Sequence, residues 1–280
     1  GMGGQRWIDL GFMRLQPSEL MKVAIVLALA RYFHGLTIRA NNRLSSLLVP
    51  VLLILLPAAM VVRQPDLGTA LLIVAGGIGV LFLAGARMWL FIVGAIGAIA
   101  SIPIGWQLMK DYQQARVMTF LNPESDPLGA GYQIMQSKIA LGSGGVWGKG
   151  FMEGTQSQLN FLPEMKTDFI FTVLAEEFGI MGGVGLIVVY ITLLSYGVLV
   201  SLTCRSHFGR LLAAGLSFTL FLYVFVNVAM VMGLLPVVGV PLPLVSYGGS
   251  AMITFMLAYG LILSVGINRG ISIPRKDAFG

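Results

Sequence analysis

Asp168 is the residue of this sequence best placed for acid–base chemistry. It lies in KTDFIF (166–171), where a long polar stretch ends and an apolar, helix-forming run begins. A carboxylate at the edge of an apolar region is partly desolvated, which raises its pKa and makes it a better general base near neutral pH. An aspartate before an apolar run is also a preferred helix N-cap. Asp168 is therefore a candidate base, a candidate cap, or both.

A second group of ionisable residues lies within or beside apolar runs, where charge is costly and often functional. Glu19 and Lys22 are three positions apart and would pair on one face of a helix. The other members are Arg63 and Asp66, around the turn QPD, and Glu176 and Glu177, about two helical turns after Asp168. Structural ion pairs, or side chains that extend to the membrane surface, explain this group equally well.

Basic side chains of the polar stretches are candidates to bind an anion such as a diphosphate, with solvated surface residues as the alternative. They are Arg6, Arg63, Arg116, Lys138, Lys149 and Lys166. The Gly-rich string GSGGVWGKGF (142–151) offers backbone amides to a phosphate. Because it lacks the Lys-Ser/Thr of a P-loop, nucleotide binding is not expected. The two histidines and the single cysteine predict no His- or Cys-based metal site.

About seven membrane-spanning helices are predicted to position these residues. The chain is 56% hydrophobic and only 11% charged, which indicates lipid as its solvent. A span needs roughly 20 mostly apolar residues. Runs without any charged residue cover 44–62, 67–86, 88–109, 178–204 and 211–268, the last long enough for two spans around a Pro- and Gly-rich loop at 233–249. A seventh span at 18–35 carries Glu19, Lys22 and Arg31. The expected fold is an all-α polytopic bundle forming one membrane domain, 1–280.

The distribution of positive charge predicts the orientation of this bundle. One set of connections carries nine basic residues against Asp277 alone and should be cytoplasmic, as should the carboxyl terminus. These nine are Arg31, Arg39, Arg43, Arg87, Arg205, Arg210, Arg269, Arg275 and Lys276. The net charge of +6 is thus a topology signal and does not indicate nucleic-acid binding. The 59-residue connection 110–168, with Lys110 at its start and a short helix expected near 131–141, would lie outside the cytoplasm. No signal peptide is expected from the polar start, GMGGQRWIDLG.

Several long motifs resemble the SEDS family of peptidoglycan polymerases, which includes the RodA, FtsW and SpoVE branches. They are QRWIDLGFMRLQPSE (5–19), RQPDLGTA (63–70), LNPESDPLGAGYQIMQSKIALGSGG (121–145), GTQSQLNFLPEMKTDFIF (154–171), VLAEE (173–177) and PVVGVPLPLVSYGGSA (236–251). The strings SKIALGSGG and PVVGVPLPLVSYGG are more similar to the elongation-associated RodA branch than to FtsW.

The resemblance implies a glycosyltransferase that polymerises lipid II at the outer face of the bacterial cytoplasmic membrane during cell elongation. It places the key aspartate on Asp168, as base for the acceptor hydroxyl, and further substrate-binding residues on Glu19, Lys22 and Asp66. Arg63, Lys138 or Lys22 would lie near the diphosphate or orient the carboxylates. The resemblance implies a divalent cation (Mg²⁺ or Mn²⁺), no organic cofactor and no nucleic acid. Its expected partners are membrane lipid, a class B penicillin-binding transpeptidase and other membrane proteins of the elongation machinery.

Two points qualify this interpretation. Family members have about ten spans, with the QRW motif after the third, so the resemblance implies that three amino-terminal helices are missing from this sequence. A lipid II flippase or transporter, or a non-catalytic scaffold of the elongation machinery, are alternative functions. A flippase would need a polar path to the inner face, whereas a polymerase needs a base on the outer face.

Overall fold

The computed structural model of the chain describes residues 6–9, 11, 14–36, 44–64, 66–109, 111–122, 130–158 and 164–274. A two-stranded antiparallel hairpin, β1 (Ile8–Asp9) and β2 (Arg14–Leu15), pairs Ile8 with Leu15 and Asp9 with Arg14. The helices that follow are α1 (Pro17–Gly35), α2 (Leu44–Arg63), α3 (Leu67–Leu83), α4 (Met88–Ala100), α5 (Ile102–Leu108), α6 (Asp111–Leu121), α7 (Ala130–Ser143), α8 (Thr155–Gln158), α9 (Ile170–Thr203), α10 (His207–Val231) and α11 (Gly249–Ile267).

Among the described residues, four helices are long and apolar enough to cross a membrane: Ser46–Arg63 within α2, and the whole of α9, α10 and α11. The shorter α3 and α4 are also apolar, and α1 has 19 residues but carries three charged side chains. Each of the seven predicted spans therefore contains a helix, although the number that cross the bilayer stays a prediction. The short helix expected near 131–141 is confirmed as α7.

In the predicted span at 88–109, a single turn residue, Ser101, separates α4 from α5. Ser101 keeps a helical conformation, and the bonds from its N–H to Gly97 and from the Gly105 N–H to its carbonyl continue the helical pattern, so this span stays a prediction. Pro103 lies in the first turn of α5. Proline has no backbone N–H to donate and disfavours a helical conformation in the residue before it, so it is better tolerated at the start of a helix than inside one. Only 13 residues remain in α4, fewer than a perpendicular span requires.

The contacts divide the chain into two compact units. The first contains the hairpin, α1 to α3, Thr192–Tyr223 and Gly248–Gly280. Its helices approach closely at glycines of α3: a Cβ on Gly77 would overlap Ile54 of α2, and one on Gly79 would overlap Phe218 of α10. Small residues at such contacts are typical of helix packing in membranes, where van der Waals contact replaces the hydrophobic effect.

The second unit contains Trp89–Ile191 and Val224–Tyr247. It includes α4 to α8, the first part of α9, the end of α10 and an extended segment at 232–247. This segment confirms the expected loop in the Pro- and Gly-rich stretch. Buried Ser137 joins three of these elements, since its hydroxyl bonds Thr172 Oγ1 of α9 and the carbonyl of Val231 of α10, each at 2.8 Å. The orientation of α7 is thereby fixed.

Some residues of the sequence-based predictions lie outside the described part of the chain. They are Arg39, Arg43, Lys110, Arg275, Lys276 and Asp277, together with the side chain of Arg116.

Candidate functional site

The backbone that presents Asp168 is held through three consecutive carbonyl groups. The carbonyl of Lys166 accepts a hydrogen bond from the Tyr247 N–H at 2.8 Å, and that of Thr167 accepts a short one from the Ser246 hydroxyl. The carbonyl of Asp168 accepts from Asn227 Nδ2 at 2.8 Å. A segment that only precedes a helix is thus fixed by α10 and the extended segment, which gives its aspartate a defined position.

Asn227 is the central member of this arrangement. Its side chain is fully buried on α10, and the same Nδ2 also donates to the carbonyl of Val240 at 2.7 Å. Among the described residues, no hydrogen-bond partner is found for Asn227 Oδ1. The amide therefore uses both of its hydrogens to connect the backbone of Asp168 with the extended segment.

Two glycines of the extended segment lie beneath the charged side chains of this unit. A Cβ on Gly239, which has a φ of +72°, would lie 3.4 Å from Asp168 Oδ2. A Cβ on Gly233, also at +72°, would overlap Lys138 Cε and lie 2.8 Å from its Nζ. Both side chains therefore lie against the extended segment, each beside a glycine that leaves space for it. Asp168 is partly buried, and Lys138 is exposed.

The N-cap interpretation of Asp168 stays a prediction. Helix α9 begins at Ile170, so Asp168 is one position earlier than the residue that directly precedes the helix. The carbonyl of Phe169 accepts the N–H groups of Thr172 and Val173 and so opens the first turn.

Glu19 and Lys22 form a buried ion pair in the first unit, as their spacing predicts. Lys22 Nζ lies 2.8 Å from Glu19 Oε1, and both residues are 4% exposed. The Tyr223 hydroxyl lies 3.0 Å from Glu19 Oε2, and Lys22 Nζ lies 4.3 Å from the centroid of the Tyr223 ring. Each charge is thus compensated, because a hydroxyl donor supports the carboxylate and an aromatic face supports the ammonium group.

Asp66 is positioned by helix capping and by partners that precede α1. Its Oδ1 accepts the N–H of Thr69 at 3.1 Å and caps α3, while Gln16 Nε2 donates to Oδ2 at 3.3 Å. Arg6 NH1 lies 3.8 Å from Asp66 Oδ2. Arg63 is exposed at the end of α2, so its predicted role stays untested.

Glu176 forms hydrogen bonds with the loop that contains the Gly-rich string. These contacts give the string a structural role. Glu176 Oε1 accepts from Lys149 Nζ at 2.7 Å and from the Gln156 N–H at 3.0 Å. The N–H groups of Lys149 and Gly150 donate to the carbonyls of Glu176 and Glu177. These two amides are therefore occupied within the protein, and the prediction that the string cradles a phosphate receives no support from them.

No group of three or more His, Cys, Asp and Glu side chains that could hold a metal ion is found in the part of the chain that the structure describes. A single carboxylate fits Mg²⁺ or Mn²⁺ that substrate phosphates also hold, which is a usual arrangement for Mg²⁺.

Sequence reasoning missed the residues that hold Asp168 in place: Asn227, Gly239, Ser246 and Tyr247. Only Asn227 left a readable signal, since it is the one amide side chain in the apolar run 211–232. Buried amides in such runs are costly unless they form hydrogen bonds. Gly239 and Tyr247 act through the backbone, which residue type does not reveal, and the Ser246 hydroxyl bonds a carbonyl group that any residue would supply.

Comparison with known proteins adds the family. The model of a family described as the FtsW/RodA/SpoVE cell cycle proteins matches residues 1–270. The peptidoglycan glycosyltransferase MrdB of Escherichia coli is 52% identical over 268 residues, covering 95% of this chain and 72% of that protein. MrdB of Helicobacter pylori is 40% identical, covering 93% of this chain and 68% of that protein.

Two solved structures extend this similarity to the fold. A chain of a peptidoglycan synthase complex that coordinates polymerization and crosslinking superposes with a TM-score of 0.78 at 33% identity, covering 95% of this chain and 74% of that one. The rod-shape-determining protein RodA of Thermus thermophilus gives a TM-score of 0.67 at 30% identity, covering 96% and 71%. The chain is therefore a multi-pass protein of the bacterial inner membrane, and it belongs to the FtsW/RodA/SpoVE family.

Proposed function

We propose that Asp168 is the general base of a peptidoglycan glycosyltransferase that polymerises lipid II during cell elongation. The glycosyltransferase activity rests on family membership and on the 52% identity to a protein of that name. The role of Asp168 rests on one observation: a partly buried carboxylate beside Gly239 is carried by a backbone held at three consecutive carbonyls. Such fixing of a reactive group in place is a recurrent source of catalytic rate.

The reaction needs one base and no strong acid. The acceptor hydroxyl of lipid II attacks the anomeric carbon of a glycan chain linked to undecaprenyl diphosphate. The new glycosidic C–O bond forms as the C–O bond to the diphosphate breaks, and the diphosphate leaves with the bonding electrons. The proton of the acceptor hydroxyl passes to the Asp168 carboxylate. A glycoside hydrolase, whose leaving group is poorer, requires a second carboxyl group as acid.

Lys138 is the cation that we assign to the diphosphate. It is exposed, its side chain lies against the same extended segment as that of Asp168, and no ion pair of Lys138 is found among the described residues. Lys22 differs because Glu19 already neutralises it in a buried site. We therefore assign Lys22 and Glu19 to the positioning of their helix, and we retain Arg63 and Asp66 as predicted contributors to substrate binding.

A divalent cation completes the proposal. Asp168 and the phosphate oxygens of the substrate would hold it, and it would offset the charge that develops on the departing diphosphate. We further propose that the loop 110–168 faces the outer side, that the carboxyl terminus is cytoplasmic, and that a class B penicillin-binding transpeptidase binds the protein. The similarity to a chain of a synthase complex supports that partnership.

The decisive experiment compares Asp168→Asn and Asp168→Glu with the unchanged protein. Each is purified with the transpeptidase, supplied with lipid II and Mg²⁺ or Mn²⁺, and assayed for glycan polymer. Asp168→Asn should abolish polymer formation, because a side-chain amide cannot accept the proton of the acceptor hydroxyl near neutral pH. Asp168→Glu should retain a small fraction of the polymerisation activity. Glu153→Gln, which changes an exposed carboxylate of the same loop, is the matched control and should be fully active.

Undiminished polymer from Asp168→Asn would refute the assignment of the base. If the unchanged protein made no polymer but moved lipid II across vesicle membranes, the flippase alternative would replace the proposal.

A further inference from the structure

An apolar loop on the second unit has no role in the chemistry above. In the Trp147 loop, defined here as residues 144–152, Trp147 is 78% exposed, Phe151 72% and Met152 63%. Three large apolar side chains so close together at a surface usually mark a contact with a partner or with lipid.

Hydrogen bonds fix this loop to one level of α9. Besides the two amide bonds to Glu176 and Glu177, the carbonyls of Gly145 and Val146 accept the N–H groups of Ile180 and Met181, at 2.9 and 3.2 Å. These N–H groups are available because Gly179 interrupts the helix with a φ of +67°. A Cβ on Gly179 would overlap the backbone nitrogen of Gly148, so the interruption and the loop fit only with glycine at this position.

The level at which the loop is fixed is the start of an apolar span. Glu177 is the last acidic residue before the run 178–204, which holds no charged residue. At about 1.5 Å per residue this run reaches roughly 40 Å, longer than a hydrocarbon core of about 30 Å. Its first turn, and the loop bonded to it, therefore belong at the interface between water and lipid.

The exposed loop is also continuous with the exposed apolar side of α9. The Phe151 ring lies 6.2 Å from that of Phe178, which is 45% exposed. Beyond it, Ile180 and Met181 are 59% and 53% exposed, as expected for side chains that meet lipid tails. Aromatic side chains are enriched at the level of the lipid headgroups, and this continuity favours lipid over a protein as the occupant.

We propose that the Trp147 loop inserts Trp147, Phe151 and Met152 into the membrane surface as an interfacial anchor. The loop joins the membrane surface to α9 only eight residues after Asp168, so it sets the depth of the helix that Asp168 precedes. The occupant is the lipid bilayer, entered to about 5–10 Å, the depth that interfacial elements reach. The anchor is independent of which reaction Asp168 performs.

The test measures depth in the full chain reconstituted into phosphatidylglycerol–phosphatidylethanolamine vesicles. Cys204 is the single cysteine, so Cys204→Ser gives a background for spin labels at Trp147→Cys, Glu153→Cys and Val188→Cys. Glu153 is an exposed carboxylate of the same region, and Val188 is 54% exposed further along α9. Electron paramagnetic resonance then compares the accessibility of each label to oxygen and to a water-soluble nickel chelate.

The label at 147 should lie between the other two, favouring oxygen over the chelate more than 153 and less than 188. Trp147→Phe, which keeps the loop apolar, should remove part of the tryptophan fluorescence that brominated lipids quench. A label at 147 as accessible to the chelate as that at 153 would overturn the proposal. So would protection that arises only when the transpeptidase is added, because that result would make the loop a protein docking surface.

Discussion

Two acidic groups of this protein are held in opposite ways. Glu19 is 4% exposed, and its carboxylate is bound directly by the side chains of Lys22 and Tyr223. Asp168 is partly buried, and the bonds that hold it act on backbone carbonyls at and before the residue. At Glu19 the bonds are made to the charged group itself and neutralise it. At Asp168 the bonds are made to the backbone that carries the side chain.

This difference indicates which carboxylate is suited to accept a proton. Protonating a carboxylate that a buried lysine contacts at 2.8 Å would leave that lysine uncompensated. The bonds described at Asp168 act on the backbone, and they hold the residue in place without depending on its charge. The ion pair is thus expected to govern stability, whereas the Asp168 segment is expected to govern turnover.

Breaking the buried ion pair should have the largest effect on stability. Glu19→Gln or Lys22→Met leaves one charge unpaired in a buried site, which typically costs about 3–5 kcal/mol. Thermal unfolding in detergent should therefore show a strongly lowered midpoint for either variant.

The double variant Glu19→Gln/Lys22→Met tests whether the loss of stability comes from an unpaired charge. It removes both charges and should be more stable than either single variant. If it regains stability and polymerisation together, the pair is structural, as we propose. Regained stability without activity would show that these residues also bind substrate, and a double variant no more stable than the singles would contradict the buried pair.

Asn227→Ala should have the next largest effect, and this effect should fall on turnover. It removes both bonds from Nδ2, so the backbone of Asp168 is free to shift, and a displacement of about 1 Å at a reacting group can cost up to about 100-fold in rate. Kinetics with lipid II should show a fall in kcat with little change in KM. Asn227→Asp should not restore activity, because it replaces a donor with an acceptor facing two carbonyls.

Ser217→Ala is the matched control for this prediction. Ser217 is also a buried polar residue of α10, but its hydroxyl donates to the carbonyl of Ala213 in the same helix, at 2.8 Å. Equal loss of kcat in Ser217→Ala and Asn227→Ala would attribute the effect to general damage to the helix.

The sequence revealed the charged groups more readily than the contacts that hold them. The spacing of Glu19 and Lys22 predicts their pairing because residues three apart share a helix face. The apolar runs likewise predict the helices, although Ser101 separates two helices within one run. The three carbonyl bonds before α9 were not predictable, since they join residues that are 59 to 81 positions apart along the chain and any residue supplies a carbonyl group.

Gly239→Ala should have a smaller effect. A side chain at a φ of +72° costs roughly 1–2 kcal/mol, and the new Cβ would lie 3.4 Å from Asp168 Oδ2. We expect contact of this Cβ with the Asp168 carboxylate to lower polymerisation about tenfold, which is equivalent to about 1.36 kcal/mol in the activation barrier. Gly85→Ala is the control: it has a φ of +83° with nothing within 4 Å of its Cβ. Gly85→Ala should lose stability to a similar extent while keeping its activity. If Gly85→Ala and Gly239→Ala lost equal activity, the effect at Gly239 would not arise from its contact with Asp168.

Arg6→Gln should have the smallest effect, and it sharpens the comparison within the first unit. Arg6 NH1 lies 3.8 Å from Asp66 Oδ2, and the Arg6 side chain is 34% exposed, so the pair should contribute only about 0.2–1 kcal/mol. Asp66 keeps its bonds from Thr69 and Gln16 when Arg6 is changed. Thermal unfolding at low and high salt should show a small loss, and the part due to the ion pair should shrink as salt screens the partly exposed Arg6. The bond from Arg6 Nε to the Gln64 carbonyl is lost at either salt concentration. The loss of stability in Lys22→Met should not shrink with salt, because the Glu19–Lys22 pair is shielded from the solvent. A salt-sensitive loss in that variant would mean that water reaches Glu19 and Lys22.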